Sequence, residues 1–233
     1  MKSKITVENV SKVYSNNEQV LKGISMEIEE NTFNVLLGQS GSGKSTLLNI
    51  MSGLLHPTSG KTVIDDDNIN QLSEKKLADI RRNKISNIYQ DYMLLPELTV
   101  KENIELGKGK SNLDLKEVTD ALGITALLNK YPSQLSGGQR QRVSIARAII
   151  KKPEVLFCDE ATGALDEENS KQVVKVLHDV KNKYGITIVF ATHNLKISMT
   201  ADRVITVKDG KIAKDVINSN PYSPLDINWG IDA

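Results

Sequence analysis

Apolar residues recur at a spacing of two near the start of the chain, at Ile5 and Val7 and again at Ile24, Met26 and Ile28. This alternation predicts strands with one buried face. Three later runs are continuously apolar: FNVLL (33–37), VLFCD (155–159) and ITIVFAT (186–192). Such runs fit strands covered on both faces, as in a parallel sheet packed between helices. Helical spacing follows the first run in STLLNIMSGLL, which HPTSG then interrupts. GGQRQRVSIARAIIKK (137–152) predicts a helix stopped by Pro153. VITVKDGKIAK predicts a hairpin about Asp209-Gly210. Buried strands alternating with helices predict an α/β fold with a parallel-sheet core, and the N-terminal alternation predicts an added antiparallel β subdomain. The expected organisation is a single domain over 1–233. Residues 1–90 and 153–220 form its core with the antiparallel subdomain, 91–152 a helical subdomain, and 221–233 a polar, turn-rich tail that wraps the surface.

Composition narrows the function classes. The formal net charge of the 233 residues is +1, so no overall field favours nucleic acid, and no nucleic-acid partner is expected. A single cysteine, Cys158, excludes an internal disulfide and fits a reducing compartment. The N-terminus MKSKITVENVSK has no apolar signal core, and no run approaches the roughly 18 apolar residues of a membrane span. The expectation is a soluble, cytoplasmic protein that reaches any membrane through a partner.

The chemistry centres on GQSGSGKST (38–46). Gly38-x-x-x-x-Gly43-Lys44-Ser45 matches the phosphate-binding pattern of P-loop nucleotidases. Glycines let successive backbone N–H groups turn around phosphate oxygens, and the following helix points its positive end at the same anion. Gly38, Gln39, Ser40, Gly41, Ser42, Gly43, Lys44, Ser45 and Thr46 are therefore the candidate nucleotide cradle. Lys44 would reach the β- and γ-phosphates, and Ser45 would ligate magnesium. Asp159 ends an apolar strand, at the edge where ligands sit in open α/β sheets, which makes it the candidate metal carboxylate. Glu160 follows it and is the candidate base for an attacking water. Without the loop upstream, the two would read as surface acids at a strand end.

At LSGGQRQR (135–142) the sequence resembles the ATP-binding subunit of ABC transporters, over nearly the whole chain. Tyr14 in SKVYSNNEQVLKGIS matches the aromatic that stacks on adenine in that family. Gln90 matches its Q-loop glutamine, a catalytic and metal-site position, and Ala164-Leu165-Asp166 matches its D-loop. His193 in VFATHN matches its switch histidine. KLADIRRNKI, LLPELTVKENI and TGALD look most like the branch serving lipoprotein release, macrolide export and antimicrobial-peptide resistance. Ala161 departs from the proline usual in that branch. The resemblance implies a P-loop NTPase core with a helical signature subdomain, ATP and Mg2+ as ligands, and ATP hydrolysis coupled to transport. It also implies a head-to-tail homodimer in which Ser136, Gly137, Gly138, Gln139 and Asp166 serve the nucleotide of the other chain. The same segment has a reading from the residues alone. Ser136 is a natural N-cap, and two glycines leave the helix start bare, an anion site in itself. The implied partner is a separate integral-membrane permease, with this chain peripheral on the inner face of the membrane.

Other residues have plainer readings. His56 and His178 lack neighbours at ligand spacing, so no zinc site is expected. Cys158 reads as a core residue, EKKLADIRRNK (74–84) as a solvated helix face, and Trp229 as an anchor of the tail on its own domain, with contact to a membrane partner as the alternative. A rival function is a non-transport ABC ATPase acting on nucleic acid or a protein assembly. A third is a nucleotide-binding module without turnover, which the set Lys44, Asp159, Glu160 and His193 argues against.

Overall fold

The computed structural model describes residues 3–229. The chain begins with β1 (Ser3–Val13), β2 (Gln19–Glu29) and β3 (Phe33–Leu37), then α1 (Lys44–Met51), β4 (Ser59–Ile64) and β5 (Asp67–Asn68). Next come α2 (Glu74–Asn83), β6 (Ile85–Tyr89), α3 (Val100–Glu105), α4 (Leu115–Ala121) and α5 (Gly137–Ile149). The last part holds β7 (Val155–Asp159), α6 (Glu167–Tyr184), β8 (Thr187–Thr192), α7 (Leu195–Met199), β9 (Arg203–Lys208) and β10 (Lys211–Ile217).

The strands form two sheets. One is antiparallel in the order β2-β1-β4-β5, and the other runs β10-β9-β3-β8-β7-β6. In the second, β9, β3, β8, β7 and β6 pair in parallel, and β10 adds an antiparallel edge through the hairpin at Asp209-Gly210.

Period-two alternation splits each core strand between two hydrophobic clusters. On β7, Leu156 and Cys158 face a cluster built with α3 to α7, while Val155 and Phe157 face the cluster containing α1, α2 and the antiparallel sheet. On β8, Ile188 and Phe190 divide from Val189 and Ala191 in the same way. Both faces of these strands are dry, which is why their sequences read as unbroken apolar runs. Each large side chain so buried contributes roughly 1.5–3 kcal/mol, so a polar residue is tolerated there only with a partner. Cys158 is one of these core residues, and burial pushes its thiol well above the ordinary value.

Three details differ from the sequence reading or add to it. The signature helix α5 ends at Ile149, not at Lys152. Lys152 takes a left-handed φ of 52° and its N–H closes on Ile149 O, because the residue before a proline disfavours helical backbone. β6 (ISNIY) has no unbroken apolar run. Its buried Ser86 is accommodated by donating to Ala148 O on α5, at 2.6 Å. The C-terminal tail docks on its own domain through Trp229, which is buried in the cluster that includes α7. Residues 230–233 of the tail lie outside the described residues.

His178 on α6 is the clearest source of pH-dependent stability. Its ring stacks on Phe33, 4.2 Å between centroids, and Nε2 lies 3.1 Å from Thr200 Oγ1. Burial, aided by the Lys181 charge, lowers its pKa from 6.5 to about 4, against the opposing pull of Asp202 and Asp179. Between those values the unfolded chain takes up a proton that the folded protein refuses. Stability should therefore fall as the pH drops from about 6.5 towards 4, by on the order of 2–3 kcal/mol. His178→Phe keeps the stack and removes the proton site. In urea melts at pH 7 and pH 5, the variant should lose clearly less stability than the wild type over the same interval.

Candidate active site

The parallel register brings four strand ends into one row. Leu37 of β3 pairs with Thr192 of β8, Ala191 with Asp159 of β7, and Asp159 with Tyr89 of β6. The glycine loop leaves β3, His193 follows β8, Asp159 and Glu160 end β7, and Gln90 follows β6. Residues remote in sequence thus meet along one carboxyl edge.

The loop is built to present amide groups. Gly43 holds φ 102° at the N-cap of α1, with no side-chain cap below it, and a Cβ there would lie 2.8 Å from Leu21 Cδ2. Only glycine fits this conformation and this space. The uncapped start of α1 leaves N–H groups directed at the loop interior. Ser42 Oγ is buried there with no hydrogen-bond partner. Lys44 is buried, and its Nζ donates to Gln39 O at 2.8 Å. Burial lowers its pKa, and the Glu160 and Asp159 carboxylates pull the other way. An anion in this loop would satisfy an orphaned hydroxyl, the open amides and a buried ammonium together, so the residues fit a phosphate.

The metal position also fits. Ser45 Oγ donates to Asp159 Oδ1 at 2.9 Å. Burial raises the Asp159 pKa, and the neighbouring Glu160 charge adds to this, whereas the Ser45 hydrogen bond and Lys44 oppose it. A divalent cation between Ser45 and Asp159 would supply the countercharge that the buried carboxyl needs. Among the described residues no group of three or more His, Cys, Asp and Glu could hold a metal. A hydroxyl and one carboxylate, completed by phosphate oxygens and water, suit magnesium.

Glu160 sits in a left-handed backbone conformation, φ 45°, pinned by its N–H to Ala191 O at 3.0 Å. Such a conformation costs on the order of 1–3 kcal/mol in a non-glycine residue and survives where surrounding structure imposes it. Its Oε1 lies 3.3 Å from His193 Nδ1. Tyr14 remains exposed, with its hydroxyl 3.4 Å from Thr46 Oγ1, so the residue stands beside the loop. Gln90 is exposed. A Cβ on Gly163 would lie 3.2 Å from its amide, and among the described residues no hydrogen bond joins Gln90 to Ser45 or Asp159.

The signature residues belong to a different surface. Ser136 and Gln139 form a capping box at the start of α5: Gln139 N donates to Ser136 Oγ, and Ser136 N donates to Gln139 Oε1 at 3.0 Å. The sequence reading found the Ser136 cap but missed the return arm from Gln139, which the S-x-x-Q spacing encodes. It also explained both glycines by a bare helix end. At Gly138 a second constraint is present: a Cβ there would lie 2.1 Å from Asn169 Oδ1 on α6. Asp166 caps α6, accepting from Asn169 N at 2.8 Å. No hydrogen bond among the described residues ties Ser136, Gly137, Gly138, Gln139 or Asp166 to this chain's own glycine loop.

A link between the two surfaces escaped the sequence reading. Tyr92 and Met93, just past Gln90, both hold positive φ. Arg147 of α5 donates to both their carbonyls, and the Arg140 guanidinium lies 5.3 Å from the Tyr92 ring centroid. The i, i+7 spacing of two arginines on α5 was the available signal.

Known proteins share this architecture. The family model described as ABC transporter matches residues 21–163. A putative ABC transporter ATP-binding protein of Mycoplasma pneumoniae is 44% identical over 97% of this chain, which spans about half (50%) of that relative's length. The bacitracin export ATP-binding protein of Halalkalibacterium halodurans is 39% identical, over 88% of this chain and 85% of its own. Among solved structures, a dimeric ATP-binding cassette from Methanocaldococcus jannaschii, in a post-hydrolysis state with ADP and Pi, is 34% identical with a TM-score of 0.81, over 91% of this chain and 98% of that one. With its glycine loop, strand-end carboxylates and signature helix so arranged, this chain belongs to the ABC transporter family as an ATP-binding cassette.

Proposed function

We propose that this cassette binds magnesium-ATP, pairs with a second copy, and hydrolyses the nucleotide to drive a membrane permease for export of, or resistance to, a peptide, lipoprotein or antibiotic. The observation that carries turnover is Glu160, held in strained backbone between the Ser45–Asp159 pair and His193. The dimeric relative with ADP and Pi supports the pairing, and the bacitracin exporter supports the direction.

Each residue has a task. The loop amides and Lys44 bind the phosphates, Ser45 and Asp159 hold the metal, and Tyr14 stacks on the base. Bound magnesium supplies charge neutralisation on the phosphate oxygens. Glu160 orients water and accepts its proton, and His193 holds the γ-phosphate end beside it. Ser136, Gly137, Gly138, Gln139 and Asp166 of one copy close over the nucleotide of the other, since they do not reach their own loop. Gln90 joins the site to the segment clamped on α5 by Arg140 and Arg147. Met93, Leu95 and Leu106 expose apolar side chains on this lobe, which suits a face that docks on the permease. No helix among the described residues is long and apolar enough to cross a membrane, so the proposed place is peripheral, on the cytoplasmic face of the permease.

Lys44→Ala should weaken ATP binding by at least roughly tenfold, about 1.4 kcal/mol, as befits a lost charge-assisted contact. An unchanged ATP titration would move the site elsewhere. Glu160→Gln keeps size but loses basicity, so turnover should fall by on the order of 10²–10⁴ while ATP still binds. On a sizing column it should run as a dimer with magnesium-ATP and as a monomer with ADP. Ser136→Arg should leave ATP affinity near that of the wild type and abolish hydrolysis. If affinity collapses as it does in Lys44→Ala, the signature serves its own chain.

A further inference from the structure

A cavity of about 300 Å³ opens behind the carboxyl edge, and its lining includes Glu160, His193, Lys196 and Trp229. Trp229 is the sole tryptophan of the chain and is 6% exposed. It belongs to the same hydrophobic cluster as Ala161 and Ile197, the first beside Glu160 and the second on α7. Its indole N–H donates to Pro224 O at 2.8 Å, which folds the tail into a closed turn.

The tail is laced to α7 at both ends. Tyr222 N donates to Met199 O at 3.0 Å at the C-terminal end of the helix. At its N-terminal end, Lys196 Nζ donates to Trp229 O at 2.7 Å. α7 has 5 residues, too few to hold helical structure without packing. His193 lies two residues before it, and the connection is stiff. Asn194 N donates to Thr192 Oγ1 at 3.1 Å, and Asn194 Oδ1 accepts from Lys196 N at 2.8 Å. Whatever fixes α7 therefore fixes His193 against Glu160.

We propose that residues 221–229 form a brace anchored by Trp229, and that Trp229 is a positioning residue for His193. The inference rests on the reading of Glu160 and His193 as the hydrolytic pair. The cavity that Trp229 lines includes Glu160 and His193 but neither the glycine loop nor Ser45 and Asp159, so the brace governs turnover and not nucleotide capture.

The full chain tests this. Trp229→Ala should lower kcat by roughly tenfold or more with KM for ATP changed by less than about twofold, and Trp229→Phe should recover most of the loss. In a His193→Ala background, Trp229→Ala should cost little further, because both act through one group. Independent, multiplicative losses would mean that Trp229 serves only general stability, and would overturn the brace. A second measurement needs no substitution at Trp229. In Glu160→Gln, magnesium-ATP should shift the emission of this single tryptophan relative to ADP. Unchanged emission would overturn the brace even if Trp229→Ala failed to fold. Absence of turnover in the wild type would count against the functional reading instead, and the emission comparison would still decide the brace.

Discussion

The register of the parallel sheet is the constraint on which the site depends. Pairing of Leu37 with Thr192, Ala191 with Asp159 and Asp159 with Tyr89 aligns the strand ends to the residue. A slip of one residue in β7 would turn Asp159 to the opposite face and move Phe157 from one hydrophobic cluster to the other. Burial on both faces forbids that slip, since every core strand has apolar side chains committed to each side. Core packing thus positions the Ser45–Asp159 pair, and the loop and carboxylates need no direct tether beyond that one hydrogen bond. The same rigidity holds Glu160 in a backbone conformation it would not adopt alone.

The second surface follows from a different economy of contacts. The N-terminus of α5 satisfies its own Ser136 and Gln139 side chains in a capping box and packs tightly on α6 at Gly138. It stands as a preformed element that does not reach into its own chain's loop. The arginine clamp on Tyr92 and Met93 ties the segment after Gln90 to α5. On the proposed reading, a change at the β6 strand end reaches the signature surface through that clamp, and the brace at Trp229 gives β8 a comparable support. Both supports pair a cationic side chain with backbone carbonyls, Arg147 with Tyr92 and Met93, and Lys196 with Trp229.

The legible parts of the sequence were those where one physical demand dominates. The runs FNVLL, VLFCD and TIVFAT declared themselves because both strand faces are dry, and the loop because only glycine fits its turns. β6 was hidden because Ser86 breaks its apolar pattern, and the partner that pays for its burial, Ala148 O, is distant in sequence. The end of α5 was overshot because Pro153 marks where a helix must stop, not where Lys152 has already left it. The closeness of Gly138 to the Asn169 side chain was not legible in the sequence, because only the fold brings α6 beside α5. Trp229 carries no motif, and its relation to His193 through Lys196 exists only in three dimensions.

The central claim is that one chain carries two incomplete halves of a site, and mixing two inactive variants tests it most directly. Lys44→Ala chains keep an intact signature and Ser136→Arg chains an intact glycine loop. A mixed pair therefore contains one complete site and one doubly damaged site. ATP hydrolysis measured on the mixture should exceed that of either variant alone, rising with the fraction of mixed pairs. A mixture no more active than its components, with ATP still bound by the Ser136→Arg chain, would contradict the account.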